Sequence, residues 1–278
     1  ISLRWFDSRL IGEGDKVRSF SFDEVWSPGL LVANKAGLIR KSFSLAVEAQ
    51  PDGWVIYRQR YVGSFSQPLK LADFPFDAQD LQFQFVATGH TEQEVVFTPD
   101  EGTDEQGVDP AAGMSKQLSI ADWNIDNWEL LTDETYETFP GRGASSFVFR
   151  FHAIRYQTYY IWKVLMPLVL IVMMSWAVFW IDPTNAGTQI GVATSSMLTL
   201  IAYRFALGNY VPRLPYMTRL DYFITGSTLI VFLTLAQVIL TSTLARNDRE
   251  KLSRRVDRVA RYAFPAAFIA ITVFSLVL

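Results

Sequence analysis

The chain has 278 residues, and half of them are hydrophobic, 14% aromatic, with a mean hydropathy of +0.15; that is too apolar for a disordered chain and long enough for two compact units. It contains no cysteine and two histidines, which excludes a disulfide framework, a cysteine-bound zinc and a histidine-rich metal centre. The net charge of −3 hides a division at Tyr159: residues 1–158 hold 14 Lys/Arg against 23 Asp/Glu, residues 159–278 hold 11 against 5, so the two halves suit different solvents. Ile1 opens into an alternating run without an initiator Met or a charged-then-apolar leader, and a signal peptide, with a first strand, is expected to precede this numbering.

From Ile1 to Tyr156 the pattern is one of short alternating runs with turn signals, which reads as all-β. Ser2-Leu3-Arg4-Trp5-Phe6-Asp7 alternates imperfectly. Ser42-Phe43-Ser44-Leu45-Ala46-Val47 and Trp54-Val55-Ile56-Tyr57 flank Pro51-Asp52-Gly53, a strong hairpin turn. Leu81-Gln82-Phe83-Gln84-Phe85 and Phe147-Val148-Phe149-Arg150-Phe151 keep period two, with one apolar and one wet face expected. The acidic, glycine-rich stretch from Asp100 to Pro110 reads as an exposed loop. Strands at this spacing predict an immunoglobulin-like β-sandwich over residues 1–157.

A helix crossing a hydrocarbon core of about 30 Å needs roughly 20 largely apolar residues, and residues 158–278 hold four such stretches, at about 159–180, 188–207, 220–245 and 256–278. The first carries Pro167, whose lost hydrogen bond neighbouring helices can replace. The second is more polar, with Thr188, Gln189, Thr194, Ser195, Ser196 and Thr199, and such residues in a span face protein or water. Residues 246–261 hold seven Lys/Arg against three Asp/Glu, which places that connection in the cytoplasm and the N-terminal domain outside. The fold class is therefore a β + α membrane protein: an extracellular sandwich followed by a four-helix transmembrane bundle, multi-pass in the cell membrane.

Three segments in order, Trp26-Ser27-Pro28 with Asn34, Phe74-Pro75-Phe76-Asp77 and Pro212-Arg213-Leu214-Pro215-Tyr216, resemble the pentameric ligand-gated ion channels, the superfamily of nicotinic and glycine receptors. Ser175-Trp176-Ala177-Val178-Phe179-Trp180, Leu198-Thr199-Leu200-Ile201-Ala202-Tyr203 and Tyr262-Ala263-Phe264-Pro265 strengthen the match. The loop bounded by cysteines in animal receptors has none here, and the cytoplasmic connection is short, so the resemblance is to bacterial members and to their inner membrane. It covers the whole chain. It implies a homopentamer around an axial pore lined by the second helix, a small-molecule agonist bound between neighbouring sandwiches, permeant monovalent ions and a boundary of membrane lipid, with no cofactor, no metal and no nucleic acid.

Gly191, Ser195, Leu198, Ala202 and Phe205 recur at spacings of three and four and form one stripe of the second helix, polar below and apolar above. Around a five-fold axis Ser195 would meet a partly dehydrated ion and Leu198, Ala202 and Phe205 would close the pore by dewetting; without the resemblance, the same stripe fits a face packed on another subunit's helix. Cation-selective relatives place an acidic ring at the cytoplasmic mouth, but residues 184–189 hold no acid. Asp182 lies a little lower, and the acidic N-terminal half would enrich cations.

The resemblance carries the agonist box onto Trp5 on one face, and onto Ala33, Val86, Thr88, His90, Tyr136, Phe139 and Arg142 on the other. Ala33, Val86 and Thr88 weaken an aromatic cage for an amine, whereas His90 and Arg142 suit a carboxylate ligand. For Trp5, Tyr136 and Phe139 ordinary packing is the alternative, and for His90 plain solvation. Asp77 and Arg155 resemble the charged pair that ties sandwich to membrane domain, the alternative being a surface salt bridge worth under about 1 kcal/mol; Pro212 and Pro215 lie in the loop that would receive the motion. A pH-gated channel, to which His90 and the many carboxylates point, and a non-conducting membrane-anchored sensor are the competing functions. No nucleophile–base set or phosphate-cradling glycine loop supports an enzyme.

Overall fold

The computed structural model describes the chain apart from residues 13–14, 44–45, 100–119, 140–141, 183, 209–213, 248 and 277–278, and apart from the side chains of 133–134, 138–139 and 142. The acidic stretch from Asp100 to Pro110, and Pro212, lie outside the described residues. The chain forms two compact units: residues 1–69 with 78–154, and residues 70–77 with 155–278.

Among the described residues the first unit holds ten strands: β1 (Ser2–Phe6), β2 (Arg18–Ser21), β3 (Leu30–Val32), β4 (Arg40–Lys41), β5 (Ala46–Ala49), β6 (Trp54–Arg58), β7 (Tyr61–Val62), β8 (Ala78–Ala87), β9 (Trp123–Phe139) and β10 (Arg142–Arg155). One sheet runs β1-β6-β5-β2, the other β3-β8-β10-β9, and β4 pairs with β7 as a ribbon. The hairpin at Pro51-Asp52-Gly53 forms because Gly53 takes φ +91°, a region open to glycine, and because Gln50 N donates to Trp54 O at 2.7 Å. Its register pairs Ala49 with Val55 and Val47 with Tyr57, so all four side chains face the interior and are buried. Leu3, Trp5, Phe20 and Phe22 pack on them.

In the second sheet β8 and β10 are antiparallel, with Phe147 opposite Phe85 and Phe149 opposite Phe83. The aromatic face stacks as expected, the Phe85 and Phe147 rings lying 5.0 Å apart. The opposite face is less wet than its alternation suggests: Ser146 and Val148 on it are buried, and Arg150 is held by Glu129 at 2.8 Å. Asn34 explains its place in the motif, for its side chain donates to Gln82 O at 2.7 Å and accepts from Gln84 N at 3.2 Å, extending the ladder of β8 as a backbone would.

Among its described residues the second unit contains four helices, α1 (Thr158–Trp180), α2 (Ala186–Leu207), α3 (Arg219–Arg246) and α4 (Glu250–Leu276), each long and apolar enough to span a membrane. α3 starts at a capping box, in which Asp221 N donates to Thr218 Oγ1 and Thr218 N donates to Asp221 Oδ2, satisfying two orphan donors. α4 begins six residues before the expected start, because Ser253 and Asp257 are buried against the bundle while Lys251, Arg254, Arg255 and Arg258 stay exposed; most of the basic connection is thus an amphipathic first part of the helix.

Pro167 has no N–H to offer the carbonyl of Lys163. α1 opens there into a wider π-type turn over Ile161–Leu165, and Tyr203 of α2 donates its hydroxyl to Lys163 O at 3.2 Å and Val164 O at 2.8 Å. The bundle core is built from Leu168, Val172, Leu200, Leu220, Phe223 and Val231. Leu71 and Phe74 belong to the same core, which is why residues 70–77, placed with the sandwich by a division at 157, join the helices.

Candidate functional site

Gln189, Ala193, Ser196, Leu200 and Leu207 are the buried residues of α2. At about 100° per residue they share one side of the helix, and Gly191, Ser195, Leu198, Ala202 and Phe205 fall on the opposite side. All five are exposed, Leu198 by 67% and Phe205 by 79%. The stripe therefore faces away from its own bundle, and its lower part, with Ser195 and the neighbouring Thr194, is polar. Asp182, just before α2, accepts from Thr184 N at 3.0 Å and Oγ1 at 2.8 Å and pairs with Arg254 at 3.2 Å. The Thr184 hydrogen bonds, followed by the Arg254 charge, hold its carboxyl below the ordinary range.

The Asp77–Arg155 pair is not the surface bridge that sequence alone allowed. Arg155 Nε donates to Asp77 Oδ1 at 2.7 Å and Nη2 to Oδ2 at 3.1 Å, and the two side chains are only 10% and 1% exposed. Burial opposes the guanidinium charge, but the hydrogen bonds and charge of Asp77 outweigh it and hold Arg155 above its ordinary range. Phe74 lies under the guanidinium at 5.0 Å and meets the Tyr160 ring of α1 at 5.0 Å. The same loop is fastened to α3: Arg219 N and Leu220 N donate to Ala72 O and Phe74 O, Arg219 Nε donates to Asp73 at 2.7 Å, and Leu71 N donates to Tyr216 Oη at 3.2 Å. Pro215, exposed, lies next to that tyrosine. The Phe-Pro-Phe-Asp and Arg-Leu-Pro-Tyr motifs thus meet, with Arg155, in one cluster of the second unit.

Of the ligand candidates, Thr88 and His90 lie on the segment that leads to Glu92, a residue that sequence reading passed over and that meets β9 and β10. Glu92 N donates to Gly143 O at 3.2 Å and its carboxylate accepts from Thr135 Oγ1 at 2.8 Å, next to Tyr136, which is half-buried. Gly29 takes φ +54° and accepts from Thr88 N at 3.0 Å; a Cβ there would sit 2.6 Å from Thr88 Oγ1, so the glycine after Trp26-Ser27-Pro28 sets where Thr88 lies. The side chains of Phe139 and Arg142 lie outside the described residues.

Trp5 is half-buried. Its ring packs on Val47, Ala49, Val55 and Tyr57, edge-on to Trp26 at 6.1 Å, with Nε1 buried and unpartnered; Trp26 in turn meets His90 at 5.3 Å. The alternation of β1 turns Leu3 and Trp5 to one side, and Trp26 lies between Trp5 and the His90 candidate. His152 of β10 was also missed. It bonds Asp80 across the strands at 2.8 Å, and that bond, with weaker help from Asp126, holds the imidazole above its ordinary range.

Comparisons agree with this architecture along nearly the whole chain. Residues 1–155 match the family model of the neurotransmitter-gated ion-channel ligand binding domain, and residues 164–251 that of the neurotransmitter-gated ion-channel transmembrane region. The chain is 22% identical over 273 residues to a proton-gated ion channel of Gloeobacter violaceus, covering 97% of this chain and 73% of that one. It is 25% identical over 247 residues to the gamma-aminobutyric acid receptor subunit beta-4 of Gallus gallus, covering 85% of this chain and 48% of the relative, so it spans about half the length of that subunit. A strand-built N-terminal unit, four membrane-length helices and both family models on consecutive stretches have one meaning: this multi-pass membrane chain is no enzyme and belongs to the neurotransmitter-gated ion-channel family.

Proposed function

We propose that five copies of this chain assemble around an axis as a ligand-gated channel in a bacterial inner membrane, N-terminal domains outside, with α2 of each copy lining the pore. The observation that supports this most is the pair of opposed faces on α2. A helix surrounded by lipid has no use for Gly191, Ser195 and Thr194 on its outer side, because polar groups in hydrocarbon cost free energy. A helix lining water uses them, with Leu198, Ala202 and Phe205 as the dewetting gate. Cations are the proposed permeant ions, on the acidic balance of the N-terminal half; the pairing of Asp182 with Arg254 weakens the case for an acidic ring. The agonist is a small carboxylate or amine held between neighbouring N-terminal domains near Trp5 of one copy and Thr88, His90, Tyr136, Phe139 and Arg142 of the next, and the Asp77–Arg155 cluster carries the motion to the helices.

A second reading, in which the proton itself is the agonist, draws on His152 and on the name of the Gloeobacter relative. Because the bond to Asp80 holds His152 above its ordinary range, the charged pair is present at low pH and is lost as pH rises through that raised value. Acid would therefore close the β8–β10 pair beside the coupling strand.

Currents across planar bilayers containing the purified chain test both, with carboxylates, amines and pH steps applied in turn. Acid-evoked current that His152→Gln diminishes selects the proton. If each Leu198→Ser change wets the gate by about 0.5 kcal/mol, a fraction of the value for burying a leucine, five copies shift opening by about 2.5 kcal/mol, roughly 70-fold. Leu198→Ser should then raise agonist sensitivity or leave current without agonist, and Thr199→Ala should do much less. Equal effects at both positions would mean that another face of α2 meets the pore, and assembled protein that never conducts would leave the sensor.

A further inference from the structure

α4 packs chiefly on α3 and on the end of α1, with Phe264 against Phe179 at 5.0 Å and Arg261 Nε donating to Phe179 O at 2.8 Å. On its open side Lys251, Arg255, Arg258 and Tyr262 follow one another at spacings of four, three and four, and all are exposed; at about 100° per residue they form one stripe. The cations of this stripe are not spent on acids. Asp257 is 2% exposed and accepts from Gln237 Nε2 at 2.7 Å, while Asp182 and Glu250 pair with Arg254 on the adjoining face. Among the described residues no carboxylate is within ion-pair reach of Lys251, Arg255 or Arg258.

Beside the stripe, α3 and α4 leave a groove of about 340 Å³, lined by Gln237 of the one and by Arg255, Val256, Val259, Ala263 and Phe264 of the other. Gln237 turns its amide nitrogen to Asp257, so the groove is an apolar channel with a guanidinium at its basic end. From Arg255 to Phe264 is about 13 Å at 1.5 Å per residue, close to the roughly 15 Å of hydrocarbon in one leaflet. An apolar channel of that length suits any acyl chain; the cations above it choose the headgroup. A zwitterionic lipid brings an ammonium that three unneutralised cations repel, whereas an anionic lipid brings phosphate oxygens, which guanidinium groups bind in pairs. Basic clusters beside a span attract such lipids. Tyr262 stands where the stripe turns apolar, for Ala266, Ile269 and Val273 follow it on the same exposed face, and a tyrosine at that boundary keeps its hydroxyl among the polar ester groups.

We infer that this face of α4 is a binding site for an anionic phospholipid, its phosphate held by Arg255 and Arg258 with Lys251 adding charge, and one acyl chain laid in the groove along Val259 and Ala263. The site requires only that the helices span a membrane, and it does not depend on the agonist or on conduction. Arg254, on the adjoining face of the same turn, holds Asp182 just before α2, so a bound headgroup sits beside the start of that helix; its effect on current, unlike its occupancy, rests on α2 lining the pore.

Photolabelling of the full chain in detergent micelles, with phosphatidylglycerol carrying a diazirine on one acyl chain and with peptide mapping of the product, reads the site directly. Label is expected on residues 256–264, displaced by unlabelled phosphatidylglycerol at concentrations at which phosphatidylcholine of the same chains does nothing. Arg255→Gln with Arg258→Gln should weaken binding of unlabelled phosphatidylglycerol about 25-fold, roughly fivefold for each cation removed. Ala263→Trp, which fills the groove and keeps both cations, should remove the label, and Lys163→Gln, at an exposed cation near the start of α1, should change neither. Displacement by phosphatidylcholine as strong as by phosphatidylglycerol makes the groove ordinary lipid boundary and overturns the proposal. So does displacement by glycerol 3-phosphate, which makes the stripe a site for a soluble anion, and so does a double variant that binds like the parent. An absence of label on residues 256–264, as when a second copy covers the groove, overturns it too. The competition is read on the parent chain without current, so it decides the headgroup class whether or not a variant folds or the channel conducts.

Discussion

Asp77 and Arg155 stand 78 residues apart in sequence, and the value of their pairing is set by burial. An exposed pair is worth at most about 1 kcal/mol, whereas removing one member of a buried pair leaves an uncompensated charge and costs about 3–5 kcal/mol. With Asp77 only 1% exposed at its side chain, Arg155→Ala is expected to fall in the second class and to lower the melting temperature of the assembled protein in detergent. The double variant Asp77→Asn with Arg155→Gln should recover much of the loss, since no bare charge remains. If the single variant melts like the parent, the cluster is solvated and the pair is the weak bridge after all. Loss of current with intact melting and intact agonist binding would instead make Arg155 a transmitting residue alone.

Among the elements, α1 shows how a flawed helix is completed by its neighbour. Pro167 frees a carbonyl within a membrane-length helix, and the Tyr203 hydroxyl takes both Lys163 O and the carbonyl of buried Val164. An unsatisfied buried acceptor costs about 1–3 kcal/mol, so Tyr203→Phe should destabilise the bundle by that amount, read by thermal unfolding in detergent. Tyr262 is 76% exposed, and Tyr262→Phe, the same chemical change on an open surface, should stay within about 0.5 kcal/mol. Equal costs at the two positions would mean that Tyr203 does not serve the carbonyls. The repair also fixes the rotation of α2, because holding Tyr203 against α1 turns Leu198 and Phe205 to the far side.

For the whole molecule, that far side needs a partner. Leu198 and Phe205 on α2 expose apolar surface interrupted by Gly191 and Ser195, which neither lipid nor bulk water alone would suit. Closing several copies around an axis resolves the conflict, as cyclic symmetry lets one face serve every subunit. The purified protein is expected to have the mass of a pentamer by native mass spectrometry in detergent, and a monodisperse monomer or dimer would remove the pore reading together with the gate at Leu198.

Much of this was legible in the chain itself. Four spans could be counted because crossing a bilayer demands a run of apolar residues whatever surrounds it, and Pro51-Asp52-Gly53 announced its hairpin because a tight turn demands glycine locally. The stripe on α2 was readable for the same reason, since helical period alone puts Gly191, Ser195, Leu198, Ala202 and Phe205 on one face. What the tertiary structure decided is which polar groups leave water and whom they meet. Asp77 and Arg155, Tyr203 and the carbonyls beside Pro167, and Asp257 with Gln237 are pairings across stretches of chain, and neither periodicity nor turn chemistry carries that information. Burial of Leu71 and Phe74 moved residues 70–77 into the helical unit, and the packing of Trp26 between Trp5 and His90 joined two candidates from distant strands, because hydrophobic burial acts on whatever surface lies nearest in space and not on the order of residues along the chain.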